Sequence, residues 1–115
     1  MAVSESFLTF VIEQLDAVRE VSSKRMFGGV GLYSLDTFFA ILDNDTVFFK
    51  VDEVTVVRYR RRRMPPFRPM PDKPAMTGYY QVPADVLEDR DALGQWAAEA
   101  IEVGRRAPTK TRRRT

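Results

Sequence analysis

The segment spanning residues 24–52, KRMFGGVGLYSLDTFFAILDNDTVFFKVD, decides the fold class of this sequence. Two polar breaks divide it, at residues 34–37 and 43–45. Short apolar, β-branched and aromatic runs between clusters of Asp, Asn, Ser and Gly are typical of consecutive hairpin strands. The pattern predicts an antiparallel meander whose strands cover residues 23–26, 30–33, 38–42 and 46–51.

The last two strands of this meander are apolar on both faces. If side chains alternate strictly along residues 38–42, Phe39 and Ile41 share one face, and Phe48 of the next strand joins them. The opposite face then holds Phe38, Ala40 and Leu42. One layer of helices would leave one face exposed, so another part of the chain or a second copy must cover it. We therefore predict a homodimer with Phe39, Ile41 and Phe48 as its self-association face.

The segments around the meander carry helical signals. Apolar residues recur at three- and four-residue spacing over residues 4–21, where Ser4 can cap an amphipathic helix. Asp52 can cap a middle helix that ends in an arginine run. The prolines concentrated in residues 65–74 stop that helix and predict a loop or irregular edge strand that stays on the body.

The C-terminal part of the sequence adds a strand and further helix. Residues 76–82 predict the last strand, and residues 84–88 a short helical turn. A final helix then buries Trp96 against the sheet and stops at Gly104. The whole order predicts a two-layer α+β fold, an antiparallel meander sheet with an N-terminal, a middle and a C-terminal helix packed on it.

Length and composition set the domain organisation. The 115 residues suffice for one domain, expected over residues 1–107, followed by a disordered basic tail over residues 108–115. No apolar run reaches the ~18 residues needed to cross a bilayer, and the N-terminus lacks the basic start of a signal peptide. The sequence has no Cys, which fits a cytoplasmic location without membrane contact.

The residue inventory argues against an enzyme. With no His and no Cys, the commonest general base and the thiolate nucleophile are missing. The carboxylates cluster at residues 43–45 and 85–91, where a hairpin turn and a helix start account for them. Glycines 28, 29 and 31 precede a strand rather than a helix, which indicates turn or bulge glycines instead of a phosphate-binding loop. We predict no catalytic site, no metal site and no cofactor.

Basic charge is concentrated in two places. Residues 1–104 hold 12 basic and 16 acidic residues, whereas all six charged residues after Gly104 are basic. The two clusters are either solvated surface or contacts for nucleic acid or an acidic partner. The candidate contact residues are Arg58, Arg60, Arg61, Arg62 and Arg63 in the first cluster and Lys110, Arg112, Arg113 and Arg114 in the tail.

Four motifs together resemble the N-terminal domain of the TfoX/Sxy family, regulators of bacterial natural competence. They are RMFGGVGLY at residues 25–33, FFAIL at 38–42, FFKVD at 48–52 and YYQVP at 79–83. The resemblance covers residues 4–106. It implies a two-layer α+β fold similar to type III secretion chaperones and a transcription-regulator partner, the cyclic-AMP receptor protein.

Two functional hypotheses follow. The first is a non-enzymatic regulatory or adaptor domain that acts through protein contacts in transcriptional control, as the resemblance implies. The alternative is an accessory protein that binds nucleic acid without sequence preference, through the Arg58–Arg63 cluster and the basic tail.

Overall fold

The computed structural model describes residues 3–26, 28–70 and 72–106, which form one six-stranded sheet with helices packed on it. All neighbouring strands are antiparallel, in the order β1-β2-β3-β4-β6-β5. The predicted α+β class and helix arrangement are confirmed. The elements are α1 (Glu5–Gln14), β1 (Val21–Met26), β2 (Gly29–Ser34), β3 (Thr37–Asp43), β4 (Thr46–Lys50), α2 (Val56–Arg61), β5 (Pro66–Phe67), β6 (Met76–Gln81), α3 (Ala84–Leu87) and α4 (Arg90–Arg106).

The main core lies between the sheet and α4, which crosses β3 and β4. Leu93, Ala97 and Ala100 recur on one side of α4 at three- and four-residue spacing, and all three are buried. On the sheet side, the rings of Phe39 and Phe49 lie 5.9 Å apart beneath this helix layer. Small alanines on the helix opposite large aromatics on the sheet allow the two layers to approach closely.

Strand β3 contains one more residue than a regular ladder requires. Two successive residues of β2 pair with Ala40 and Phe38, so Phe39 is the additional residue of a β-bulge. The bulge interrupts the alternation, and Phe39 therefore packs in the helix-side core, against Phe49. The prediction that Phe39 shares a face with Ile41 is wrong, as is the one that placed Phe38 with Ala40. Phe38 and Ile41 together pack on the other face of the sheet.

The first helix is shorter than predicted. Ser4 caps it as expected, because its hydroxyl accepts a hydrogen bond from the Phe7 N–H at 3.2 Å. The helix ends at Gln14 rather than near residue 21, since the chain must turn to enter β1. Glu20 makes that turn with a φ of 44°, and its carbonyl accepts from the Leu35 N–H. A left-handed residue is incompatible with a continuing α-helix.

Helix α4 continues through Gly104 to Arg106, so the predicted stop at this glycine is wrong. Gly104 lies where the helix comes closest to the sheet. A Cβ atom there would be 2.8 Å from Cγ2 of Thr37 and 2.9 Å from the carbonyl oxygen of Phe38. The glycine therefore permits close approach of helix to strand rather than ending the helix.

Trp96 packs against the main core but is only partly buried, not buried as predicted. Its ring meets Tyr59 of α2 edge-on at 4.9 Å, and the guanidinium of Arg58 lies 4.7 Å from its centroid. Tyr59 itself is fully buried, and burial strongly raises the pKa of its phenol. Trp96 thus joins α4 to α2.

The Pro-rich segment folds over the second face of the sheet. Within it, β5 pairs with β6, which confirms an irregular edge strand that stays on the body. Phe67 of β5 places its ring 4.9 Å from that of Phe48. Phe48, Phe67 and Tyr79 form a small cluster here, with Phe38 and Ile41 packed against it. This second face is therefore covered in part by the chain itself.

Candidate binding surfaces

Two arginines of the predicted basic cluster hold helices together. Arg58 forms an ion pair with Glu99 of α4 at 3.5 Å, besides its contact with Trp96. Arg62 donates to Asp85 at the start of α3 at 2.6 Å, and this hydrogen bond lowers the pKa of the Asp85 carboxyl. Both side chains already have partners, which makes them poor candidates for binding another molecule.

The other three arginines of this cluster face solvent. Arg60, Arg61 and Arg63 form no ion pair with another described residue, and all three are exposed. Arg63 adopts a φ of 59° where α2 ends, and the next N–H donates to the Tyr59 carbonyl at 3.0 Å. This is a Schellman-type turn, and it ends the helix within the arginine cluster. The tail candidates Lys110, Arg112, Arg113 and Arg114 lie outside the described residues.

The predicted self-association face is altered by the bulge and by the Pro-rich segment. Phe39 lies in the main core and cannot contact a second copy. Phe48 is only 9% exposed because Phe67 packs on it. Ile41 remains half-buried on this face. Of the three predicted residues, the structure brings Ile41 and Phe48 together and separates Phe39 from them.

A pocket of about 390 Å³ opens on this helix-free face of the sheet. Strands β1, β2, β3 and β6 and the Pro-rich segment form its walls, and Asp43 is the one charged residue among the described lining residues. The apolar lining includes Met26, Phe38, Ile41, Phe67, Met76 and Tyr79. A sequence pattern could have signalled it, since Phe67, Met70 and Met76 are unusually apolar for a Pro-rich loop.

Tyr79 contributes a polar group to this apolar pocket. The residue is only 8% exposed, and burial, aided by nearby Tyr33, raises the pKa of its phenol. The phenol therefore stays protonated at neutral pH and can donate a hydrogen bond. Lys50 lies 4.9 Å from the centroid of its ring. Its neighbour Tyr80 points to the opposite face, where it packs 6.1 Å from Tyr59.

Strand β1 forms one edge of the sheet, with no described strand beyond it. The Leu35 N–H donates to the Glu20 carbonyl, and bonded pairs alternate along an antiparallel ladder. The backbone N–H groups of Val21, Ser23 and Arg25 therefore point away from β2. Most of β1 is exposed, and its side chains are mainly polar or basic.

The acidic residues occupy the turn and cap positions expected of them. Asn44 and Asp45 both have left-handed φ angles in the β3–β4 hairpin. Asp45 also accepts hydrogen bonds from the backbone N–H and hydroxyl of Ser4, at 2.9 and 3.2 Å. Asp89 accepts from the Ala92 N–H in the first turn of α4. Within the described part of the chain, no three side chains of metal-binding type come together.

Asp52 joins two helices through a single carboxylate. One oxygen accepts from the backbone N–H groups of Val54 and Thr55, at 3.0 and 2.9 Å. In return the Thr55 hydroxyl accepts from the Asp52 N–H at 3.0 Å. The second oxygen accepts from Arg106 in the last turn of α4, at 2.9 Å. Asp52 therefore closes the turn before α2 and also contacts the end of α4, but the N-cap residue of α2 is Thr55, so the prediction of Asp52 as the helix cap is wrong.

The sequence model of the TfoX N-terminal domain family matches residues 13–104, most of the chain. The chain belongs to this family. The match confirms the resemblance drawn from the four motifs. A comparison with curated proteins finds no match.

In this TfoX N-terminal domain the family-like motifs have structural roles. Gly28 of the RMFGG motif has a φ of 81° in the β1–β2 hairpin, a conformation that favours glycine. Asp52 of the FFKVD motif links α2 to α4. Tyr80 of the YYQVP motif lies in the core, and Pro83 precedes α3 at its N-cap. No helix in the described part of the chain has the length and apolar character needed to cross a membrane.

Proposed function

We propose that this TfoX N-terminal domain is a non-enzymatic regulatory or adaptor domain that acts through protein contacts in transcriptional control. The observation that carries the proposal is the open edge of β1. Its outward N–H groups can donate hydrogen bonds to the backbone carbonyl oxygens of a partner strand. Such strand addition is a recurring mode of peptide recognition. The partner proposed is a transcription regulator, in the cytoplasm, by analogy with the competence regulators that the motifs resemble.

The exposed side chains of β1 favour binding to a specific partner over non-specific pairing with other strands. Lys24 and Arg25 are exposed on this strand, and lysine or arginine on an edge disfavours random aggregation. Arg25 is held by an ion pair with Glu5 at 3.1 Å, which restrains it beside the edge. The lack of His and Cys in the sequence agrees with a role in binding rather than catalysis.

The test is a substitution that removes one outward donor. Ser23→Pro deletes the Ser23 N–H, and edge strands tolerate proline on the side that faces solvent. Ser23→Ala keeps the donor and is the matched control. Binding of the purified cyclic-AMP receptor protein from the same organism is measured by biolayer interferometry. We expect Ser23→Pro to weaken binding about tenfold or more and Ser23→Ala to leave it unchanged.

Equal affinity of the two variants would show that β1 is not the contact. Lack of binding by the unmodified domain would remove this partner from the proposal. Thermal unfolding of each variant shows whether the fold survives the substitution, so a loss of binding can be assigned to the edge.

A second candidate function is sequence-independent nucleic-acid binding. The observation that favours it is the group of three exposed arginines, Arg60, Arg61 and Arg63, without ion pairs to other described residues. Three phosphate contacts give a slope of log K against log salt of about −2.7 on duplex DNA. Four further contacts from the tail residues would add about −3.6.

Two variants separate these contributions. Arg60→Gln/Arg61→Gln/Arg63→Gln should remove the first part of the slope, and deletion of residues 108–115 the second. Fluorescence anisotropy with a labelled duplex at several salt concentrations measures both. If the intact chain binds neither DNA nor RNA at low salt, the nucleic-acid function is wrong and the adaptor proposal is unaffected.

A further inference from the structure

The pocket on the helix-free face has a shape that the strands alone do not provide. Gly31 of β2 has no side chain, and a Cβ there would be 2.6 Å from Cε1 of Phe38 and 2.8 Å from Cε of Met26. The Phe38 ring therefore lies across the glycine, with Met26 beside it. Phe67 and Met76 close the opposite side from the Pro-rich segment and β6. The result is a concave site rather than a flat apolar patch.

The volume of the pocket fits a small molecule. About 390 Å³ lies within the range of about 300–1,000 Å³ typical of small-molecule sites. A stable protein interface buries about 800 Å² on each partner, and much of this face is already covered by Phe67. The concavity itself therefore fits a compact ligand, whereas a second copy would contact its rim.

The hydroxyl of Tyr79 adds a hydrogen-bond donor to the largely apolar lining of the pocket. Tyr79 is more than nine-tenths buried, lines the pocket, and makes no hydrogen bond with another described residue through its hydroxyl. Buried polar groups are nearly always hydrogen-bonded, so a protonated phenol in this position needs an acceptor. A carbonyl or ether oxygen on a ligand would supply it.

Asp43 of the lining disfavours anions in the pocket, and the nearby Lys50 ammonium already lies against the Tyr79 ring. Asp43 is the charged group among the described lining residues, and it already has an interaction within the chain. A carboxylate or sulfonate brought into the same low-dielectric space would be repelled by it and would lose its hydration. The other described lining residues are glycine, valine, isoleucine, methionine, proline and aromatic residues.

We propose that this pocket binds a small, uncharged, largely apolar molecule that presents a hydrogen-bond acceptor to the Tyr79 hydroxyl. The site lies on the sheet face, and Met26, at the end of β1, contributes to its lining. It goes beyond the adaptor function and does not depend on it. Binding there would give the domain a means of sensing a small molecule.

The first experiment tests the pocket. The probe is prodan, an uncharged fluorescent naphthyl ketone, titrated against the full chain. We expect a saturable change in emission with a Kd on the order of 10–100 µM. Met76→Trp fills the pocket from a side chain that is 42% exposed, and should weaken binding at least about tenfold. Met70→Trp is the matched control, since Met70 is exposed outside the lining, and should leave binding unchanged.

The second experiment tests the acceptor and the charge. Tyr79→Phe removes only the hydroxyl and should weaken prodan about three- to tenfold, the effect of one neutral hydrogen bond. Naphthalene, used as a competitor, has no acceptor and should bind both proteins equally. The anionic probe anilinonaphthalene sulfonate should bind at least about tenfold more weakly than prodan.

Three results would overturn the proposal. They are prodan binding that does not saturate, equal losses in Met76→Trp and Met70→Trp, and sulfonate binding as tight as that of the ketone. An unchanged prodan affinity in Tyr79→Phe would overturn the assigned role of the hydroxyl. Circular dichroism of each variant shows that it is folded before the titrations are compared.

Discussion

Asp52 shows how much one side chain can organise in a domain of this size. Its carboxylate receives two backbone N–H groups before α2 and the Arg106 guanidinium from α4. The Thr55 N–H, the largest influence, lowers the pKa of the carboxyl below its ordinary value, and Arg106 lowers it further. The charged form is therefore favoured by the folded state.

Asp52→Ala should lower the free energy of unfolding at pH 7 by about 1–2 kcal/mol, because it removes hydrogen bonds to a charged carboxylate. Because the folded-state pKa is lowered, the charge contributes fully above the unfolded-state pKa and is lost as pH falls below about 4. The cost should then shrink between pH 7 and pH 3, measured by urea unfolding. Asp52→Asn keeps an acceptor and should cost less at pH 7. An equal cost of Asp52→Ala at both pH values would contradict a contribution from the charge.

Trp96 should contribute less to the free energy of unfolding than a fully buried tryptophan, because it is partly exposed and packs between Tyr59 and Arg58. Trp96→Ala should destabilise the domain by about 2–3 kcal/mol, less than the roughly 3–5 kcal/mol of a fully buried aromatic. Trp96→Phe keeps an aromatic edge against Tyr59 and should cost about half as much. Guanidinium unfolding measures both, and a loss below about 1 kcal/mol for alanine would show that the contact with α2 contributes little.

Among the elements, α4 carries the main core and also contains two glycines in contrasting environments. Gly94 has only Ala17 within reach of an added methyl group, at 3.8 Å, which is ordinary contact. Gly104 faces backbone and side-chain atoms of β3 at less than 3 Å. The helix therefore tolerates a larger residue at one position and excludes it at the other.

These two glycines give a matched pair of substitutions. Gly94→Ala should stabilise the domain by about 0.5–1 kcal/mol, because alanine is the better helix former. Gly104→Ala should destabilise it by about 1–3 kcal/mol, because helix and sheet must move apart. Thermal unfolding of both variants measures the difference. Stabilisation by Gly104→Ala would show that the helix end can separate from β3 without cost.

At the scale of the whole molecule, the homodimer stays a prediction. Its face is reduced to Ile41 and the apolar surroundings of the pocket, because Phe39 lies in the core and Phe48 beneath Phe67. Light scattering at micromolar concentration should give a dimer mass that Ile41→Glu converts to a monomer mass. Val54→Glu is the control, since Val54 is 78% exposed outside this face. A monomer mass for the unmodified chain would mean that Phe67 covers the face sufficiently.

The sequence by itself determined the elements and their order. Hydrophobic periodicity, the hairpin residues 43–45 and the cap Ser4 all act within a few residues, so they can be read from the chain. The same local signals predicted an antiparallel α+β fold, and the motif combination identified the family. The functional surfaces were predicted less well, because exposure of a side chain depends on what packs against it.

Only the tertiary structure decided which side chains meet. The bulge at Phe39 forms only when β3 pairs with β2, and it places that residue in the core instead of on the predicted dimer face. Gly104 has the residue type of a helix stop, but the nearby strand gives it a different role. Arg58 and Arg62 were paired by α4 and α3, whereas Arg60, Arg61 and Arg63 were not. Such contacts join residues far apart in the chain, and local propensity carries no information about them.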